Sequence, residues 1–343
     1  MKIKLTNIIN NFLYSEKLTL VNIIKSIPAS FITENKKFDF PKVKGLTLDR
    51  VIRKQDNNEF NLIGVYLNKA GKKVIVKSLN PKSKTLGYYQ LINEKKVLSA
   101  LDIMEKNSVV KFPKVLSFIK SEGQVSLASE FVGGKTLKTL NKAKKLEVLI
   151  SCLDYYNDIA QNARALIDIG LSQRSSIYLA VSLPFYTLLT VVKDLQNWQL
   201  YIDAFFQFYK NSSVKDYVLP SYVLAHKDLH SENIMVDRNK IYIIDHEISV
   251  MAEPQTDLAL IARLYIEEIG IGSTKKLLST FIKSKEDGRR FTKLTIFYTI
   301  QIMALKGRGH EEFKHGAYYL RVLRSNIVPY LKSSHRSQNS KNE

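Results

Sequence analysis

Apolar side chains follow two rhythms along this chain. Between positions 46 and 131 they alternate or bunch in short β-branched runs, whereas from about Leu137 onward they recur every three or four residues. The first rhythm is that of strands and the second that of helices. Leu46–Arg53, 60–67 and Lys73–Leu79 read as three antiparallel strands, with Asn68-Lys69-Ala70-Gly71 as a hairpin-like turn. A helix is expected over 89–106, followed by strands at 115–120 and 125–131 around the turn Ser121-Glu122-Gly123. Helical spacing then holds to about Tyr217. Runs at 222–225 and 241–244 interrupt it, and it resumes at Asp257. Ahead of this body, Ile8, Ile9, Phe12, Leu13, Leu20, Ile23 and Ile24 space one or two short amphipathic helices over 4–27. From Ser333 no apolar residue follows, which predicts a frayed end.

A strand-rich part followed by a helical part makes the expected class α+β. With 343 residues, 45% of them apolar and only 14 glycines and 8 prolines, the chain has material for two domains or one bilobal domain with a cleft. The expected divisions are a helical extension at 1–45, a smaller lobe at 46–132, a helical lobe at 133–332 and a disordered tail at 333–343.

Charge changes this picture less than its total suggests. The net charge is +20, but residues 1–150 carry 28 basic and 12 acidic side chains while 151–250 carry 8 and 11. The middle segment is mildly acidic, so the overall balance does not identify a partner; peripheral contact with anionic surfaces is compatible with it. Basic residues are scattered without a recognition motif, and nucleic acid is not an expected partner. Cys152 is the only cysteine, which excludes an intrachain disulfide and suits a reducing compartment. Met1-Lys2-Ile3-Lys4 imitates the start of a secretion signal, but Asn7, Asn10 and Asn11 interrupt it, so a cytoplasmic location is expected. The longest apolar run, 177–192, contains Pro184 and is short of a membrane span; it reads as a buried helix.

The densest chemistry lies in His226-Lys227-Asp228-Leu229-His230-Ser231-Glu232-Asn233, followed after a short apolar run by Ile244-Asp245-His246-Glu247. A loop after one strand-like run and the end of the next, side by side in a hairpin, would bring Asp228, Asn233 and Asp245 to one point. One carboxylate to orient a hydroxyl, with an amide and a second carboxylate as oxygen donors to Mg²⁺, are the parts that phosphoryl transfer requires. The five-residue step from Asp228 to Asn233 is that of the kinase catalytic loop. His226, Asp228, His230 and His246 also compose a set of ordinary zinc ligands, and singly each acid reads as a turn or cap residue.

These residues resemble the catalytic loop and metal-binding strand of the aminoglycoside phosphotransferase and choline kinase superfamily, small-molecule relatives of the protein kinases. Those enzymes typically show H-G-D-x-H-x-x-N and I-D-[FWH]-E; Lys227 stands here in place of the usual glycine. The resemblance implies a bilobal kinase-like fold, with an antiparallel sheet and one key helix in the first lobe. It also implies a nucleotide site in that lobe. Lys73-Val74-Ile75-Val76-Lys77 resembles the V-A-I-K strand, making Lys77 the partner of the nucleotide phosphates and Glu94 the acid that orients it. Ala128-Ser129-Glu130-Phe131-Val132 resembles the hinge, where main-chain groups of Glu130 and Val132 would bond the adenine edge. By the same resemblance Asp228 is the catalytic base, Asn233 and Asp245 hold Mg²⁺, the nucleotide is ATP or GTP, His226 braces the loop and Asp257 anchors it. One part departs from the pattern: residues 53–59, expected over the phosphates, contain no glycine.

Between Glu130 and His226 lies more chain than a minimal protein kinase needs, and no activation segment follows Asp245, which favours a small hydroxylated acceptor over a protein. Asp154, Asp158, Asp168, Asp194 and Asp203, with Tyr155, Tyr156, Tyr201 and Phe205, offer walls for a cationic acceptor. A sugar phosphate, a lipid-linked saccharide or a protein acceptor remains open. The rival class is a catalytically weak, kinase-like nucleotide-binding module, suggested by the glycine-free loop. Cys152 and Trp198 read as packing residues.

Overall fold

A computed structural model describes residues 42–53, 61–79, 86–104, 108–121, 124–159, 171, 174, 176–218, 222–306 and 310–339. The expected N-terminal helices over 4–27 and positions 54–59 of the glycine-free loop lie outside the described residues. The first lobe is a five-stranded antiparallel sheet of order β1-β2-β3-β6-β5. Its strands are β1 (Leu46–Arg53), β2 (Asn61–Asn68), β3 (Lys73–Leu79), β5 (Val115–Ser121) and β6 (Gln124–Glu130). The β2–β3 turn forms as its sequence dictates: Asn68 Oδ1 accepts the amides of Ala70 and Lys72 at 3.0 and 2.9 Å, and Gly71 supplies a φ of 71°. Helix α1 (Leu86–Ile103) buries Leu91, Val97, Leu98 and Leu101 under this sheet and the neighbouring lobe.

The second lobe is mainly helical: α2 (Lys142–Ile159), α3 (Ser176–Lys193), α4 (Trp198–Lys210), α5 (Val214–Val218), α6 (Thr256–Phe281), α7 (Lys285–Leu305), α8 (Glu311–Val322) and α9 (Val328–Asn339). The main hydrophobic core lies here, and helix α7 contributes Phe291, Leu294, Phe297, Ile300 and Met303 to it. Pro184 sits inside α3, where a proline leaves the carbonyl four residues back without its amide. The hydroxyl of Tyr209 donates to that carbonyl, Ala180 O, at 2.7 Å, which explains how the helix runs through.

Three expectations need correction. Helix α3 is buried on only one side; Ile177, Val181, Phe185, Leu188 and Val192 line an exposed face. Trp198 is half exposed rather than packed in the core. The backbone stays helical to Asn339, past Ser333 where the composition predicts fraying.

Two smaller sheets accompany the lobes, and the larger of them joins the two. Hairpin strands β9 (Ile234–Asp237) and β10 (Lys240–Ile243) form the centre of a sheet of order β4-β10-β9-β7. Strand β4 (Val110–Lys111), which leads out of α1, pairs in parallel with β10, and β7 (Lys135–Thr136), just after the connection between lobes, pairs with β9. The two runs expected to lie side by side do not pair with each other. Strand β8 (Val223–Ala225) instead pairs with β11 (Val250–Ala252) as a separate ribbon, because the short run Ile234-Met235-Val236 supplies the true partner of β10.

The connection between lobes passes so close to β9 that one position admits only glycine. Gly134 has φ 125°, and a Cβ there would meet the Val236 carbonyl oxygen at 2.6 Å, a contact with rigid backbone. Gly134→Ala is therefore expected to cost roughly 2–3 kcal/mol. Gly133→Ala, whose Cβ meets only the Phe131 ring at 4.0 Å, is expected to change stability little. Denaturant midpoints of the two variants make the comparison.

Candidate active site

Lys77 points from β3 toward the second lobe, where its ammonium meets carboxylates from two directions. Nζ donates to Glu94 Oε1 and Oε2 at 2.9 and 2.8 Å, to Asp245 Oδ1 at 2.7 Å and to Glu247 Oε1 at 3.2 Å. Glu94 comes from α1, while Asp245 and Glu247 follow β10. Burial alone would lower the Lys77 ammonium, but Asp245, Glu94 and Glu247 together hold it well above its ordinary value. Burial pushes Glu94 up to about 8 against the pull of Lys77, with Asp245 and Glu247 reinforcing the rise. Three acids share one cation, so the cluster is short of positive charge.

That shortage bears on a metal. Oxygen atoms of Glu94, Asp245 and Glu247 all lie within 4.8 Å of one another, a hard-oxygen set suited to a divalent ion. Asn233 Nδ2 donates to Asp228 O at 2.9 Å and to Asp228 Oδ2 at 3.2 Å, so the amide oxygen is the atom left for coordination. The residues present fit Mg²⁺.

The loop between β8 and β9 is fixed from behind. Asp257, in the first turn of α6, accepts the amides of His226 and Lys227, each at 2.8 Å. His226 Nδ1 lies 3.2 Å from the Asp228 amide, which makes that nitrogen the acceptor; Nε2 then donates to Ile244 O at 3.0 Å. One imidazole thus ties the Asp228 loop to the residue before Asp245. Burial lowers His226 to about 4, so the neutral tautomer these bonds require persists at neutral pH. Tyr265 OH donates to Leu229 O at 2.9 Å, and His230 Nε2 lies 3.6 Å from Asp228 Oδ2. Burial raises the Asp228 carboxyl, with His230 opposing and Asp245 adding to the shift.

The geometry thus assembles Lys77, Glu94 and Asp245 directly, and Asp228 with Asn233 beside them. At the connection between lobes, Glu130 donates its amide to Lys114 O at 2.9 Å, and Val132 is buried just beyond β6. Sequence reasoning missed two contributors. The sequence motif gives Glu247 no task of its own, whereas the structure sets its carboxylate on Lys77. Asn93, beside Glu94 on α1, reaches across with Nδ2 to the carbonyls of Glu247 at 3.1 Å and Ser249 at 2.8 Å, clamping the loop after Asp245. A polar amide next to the orienting acid on the inward side of a helix was the available signal.

Several of the acidic and aromatic residues expected to wall a cationic pocket are engaged within the fold. Tyr155, Tyr156 and Tyr201 are buried in the core. Asp194 accepts Tyr201 OH at 2.6 Å, Asp203 pairs with Arg324 at 2.7 Å, and Asp154 and Asp158 lie exposed on α2. Asp168 lies outside the described residues.

Two outcomes follow from the loop. Lys227 has φ 68°, a left-handed backbone that costs a lysine about 1–2 kcal/mol. Lys227→Gly relieves that cost against about 0.5–1 kcal/mol of added chain entropy, so a small net gain in denaturant midpoint is expected. His226, near 6.5 when unfolded and about 4 when folded, takes up a proton on unfolding between those values. Its contribution to stability is present above pH 6.5 and is lost as pH falls toward 4. Asp257, raised by burial to about 6, acts in the opposite sense, so the quantity to read is a difference. The fall in thermal midpoint on acidification should be steeper in the native protein than in His226→Asn.

Comparison with known proteins agrees with this geometry. A model of the phosphotransferase enzyme family matches residues 65–290, a span that runs from β2 into α7 and takes in every residue of the charged cluster. Among solved structures, the GDP complex of a variant aminoglycoside 2′-phosphotransferase-IIIa superposes with a TM-score of 0.59 at 17% identity, over 90% of this chain and 98% of that one. A thermostable mutant of aminoglycoside phosphotransferase APH(4)-Ia, in ternary complex with ADP and hygromycin B, gives 0.55 at 12% identity, over 83% and 95%. The spectinomycin phosphotransferase APH(9)-Ia, in complex with ADP and spectinomycin, gives 0.54 at 16%, over 83% and 92%. No curated protein sequence matches the chain significantly. These structures share the bilobal kinase-like fold, and with the family model spanning most of both lobes the chain belongs to the phosphotransferase enzyme family.

Proposed function

We propose that the protein is a small-molecule kinase that transfers the γ-phosphoryl group of ATP or GTP to a hydroxyl of a small acceptor, with Mg²⁺ as cofactor. The observation that carries the reading is Lys77, bonded at once to Glu94 of its own lobe and Asp245 of the other. A lysine so placed can exchange its bond to Asp245 for nucleotide phosphate oxygens while Glu94 keeps it oriented. The carbonyl of Glu130 and the main chain of Val132 supply the edge against which the base is held. Asn233 and Asp245 would hold Mg²⁺, with Glu247 beside them, and the ion would supply neutralisation of phosphate charge.

Asp228 supplies the remaining chemistry. Its carboxylate orients the acceptor hydroxyl and takes its proton as the oxygen attacks the γ-phosphorus. The new O–P bond forms as the bond to the β-phosphate oxygen breaks, and the nucleoside diphosphate leaves. The upward shift of Asp228 suits a proton acceptor, and Asp257 with His226 keeps it in place. The single buried thiol, Cys152, fits a cytoplasmic enzyme.

Three variants test the division of labour by calorimetric nucleotide binding and by phosphate transfer or acceptor-free nucleotide hydrolysis. Asp228→Asn is expected to keep ATP affinity while turnover falls by about 10²–10⁴. Asp245→Asn is expected to abolish the Mg²⁺ dependence of nucleotide binding, and Lys77→Ala to weaken binding itself. Native turnover in Asp228→Asn, or Mg²⁺-dependent binding retained in Asp245→Asn, would contradict the assignment.

A further inference from the structure

Helix α3 presents an apolar face that the described residues leave open. Ile177, Val181, Phe185, Leu188 and Val192 follow at helical spacing along one stripe, and each is between 47% and 65% exposed. On the other side Tyr178, Leu179, Leu183, Tyr186 and Thr190 are sealed into the lobe. The stripe therefore faces outward from a helix that is anchored along its whole length.

Helix α4 widens this face. It runs back alongside α3, since the hydroxyl of Tyr209 near the end of α4 donates to Ala180 O near the start of α3 at 2.7 Å. Trp198, Phe205 and Tyr209 share one side of α4 by their spacing, and the rings of Phe205 and Tyr209 meet at 4.9 Å. Trp198 is half exposed. From Ile177 to Val192 the stripe runs about 22 Å. An open apolar surface of that extent marks a place of contact with something else.

The charges around it say what that is. Between Ser176 and Val218 every acid is already engaged: Asp194 accepts Tyr201 OH at 2.6 Å, Asp203 pairs with Arg324 at 2.7 Å, and Asp216 pairs with Arg289 at 2.9 Å. The same span holds Lys193, Lys210 and Lys215. Lys210 follows Tyr209 directly and is exposed, as is Lys215 on α5, which packs against α3. Lys193 closes the other end of α3, with its ammonium on Lys306 O at 2.8 Å. A second copy of the chain laid on this face would meet the same lysines and offer no free acid to pair with them.

We infer that the α3–α4 face is a docking surface for an anionic lipid bilayer. The stripe enters the headgroup boundary in the plane of the membrane, and Lys210 and Lys215 meet lipid phosphates. Trp198 and Tyr209, each an apolar ring with a polar edge, suit that depth. The inference goes beyond the kinase reading and does not depend on it, because no residue of this face belongs to the charged cluster around Lys77.

Co-sedimentation of the full chain with vesicles tests it, using phosphatidylcholine alone and an equimolar mixture of phosphatidylcholine and phosphatidylglycerol. The native protein is expected to bind the mixed vesicles, to lose affinity as salt rises, and to bind phosphatidylcholine poorly. Val181→Glu with Leu188→Glu, both at exposed positions, is expected to weaken binding at least about tenfold, and Lys210→Gln with Lys215→Gln about tenfold. Thermal midpoints check that each variant folds, and Val181→Ser with Leu188→Ser takes the place of the glutamate pair if that one does not. Native protein that stays in the supernatant, or that binds both vesicle types equally, would overturn the inference. So would a folded α3 variant that binds as the native protein does, since the attraction would then come from basic residues elsewhere. Equilibrium sedimentation tests the rival occupant: a dimer dispersed by the α3 variant, without vesicle binding, would assign the face to a second copy and overturn the bilayer.

Discussion

One ammonium group set against three carboxylates organises this molecule. Lys77 belongs to the sheet lobe, Glu94 to the helix beneath it, and Asp245 and Glu247 to the loop that leaves the hairpin of the other lobe. Bringing three acids together without compensation is unfavourable in a partly buried setting, and one lysine compensates only in part. In the proposed function the remaining negative charge would suit a divalent cation, and the buried lysine would partner nucleotide phosphate.

Such a cluster needs its members held from independent directions. The hairpin β9–β10 is fixed on one flank by β4 and on the other by β7, so a strand from each side of the lobe boundary borders it. Asn93 clamps the carbonyls after Asp245, and Gly134 lets the connection pass against Val236. Behind the catalytic loop, Asp257 and His226 take up main-chain groups that would otherwise be buried without partners.

Much of this was legible in the chain. Alternation in 46–131 located the five strands, Asn68 to Gly71 marked the turn, and the spacing from Asp228 through Asn233 to Asp245 located the loop. What was not legible depends on contacts between distant segments. The partner of β10 is a strand of four residues, too short for its alternation to register, and its pairing displaced the expected one. The exposed face of α3 is as apolar as its buried face, so composition could not distinguish them. The aromatic and acidic residues of 151–250 suggested a cationic pocket, yet helical geometry turns Tyr155, Tyr156 and Tyr201 into the core and sets Asp194 on Tyr201 and Asp203 on Arg324. The strain at Lys227 is visible only in the backbone, although the substitution of a lysine for glycine was itself a sign in the sequence.

The central claim is that the Lys77 cluster is a nucleotide phosphate site held in reserve by its own acids. A crystal structure of the full chain with Mg²⁺ and a non-hydrolysable ATP analogue tests it most directly. The account predicts that Lys77 keeps Glu94, gives up Asp245 to bond phosphate oxygens, and that Asp245 and Asn233 turn to the metal. Phosphates bound elsewhere, with Lys77 still on Asp245, would contradict it.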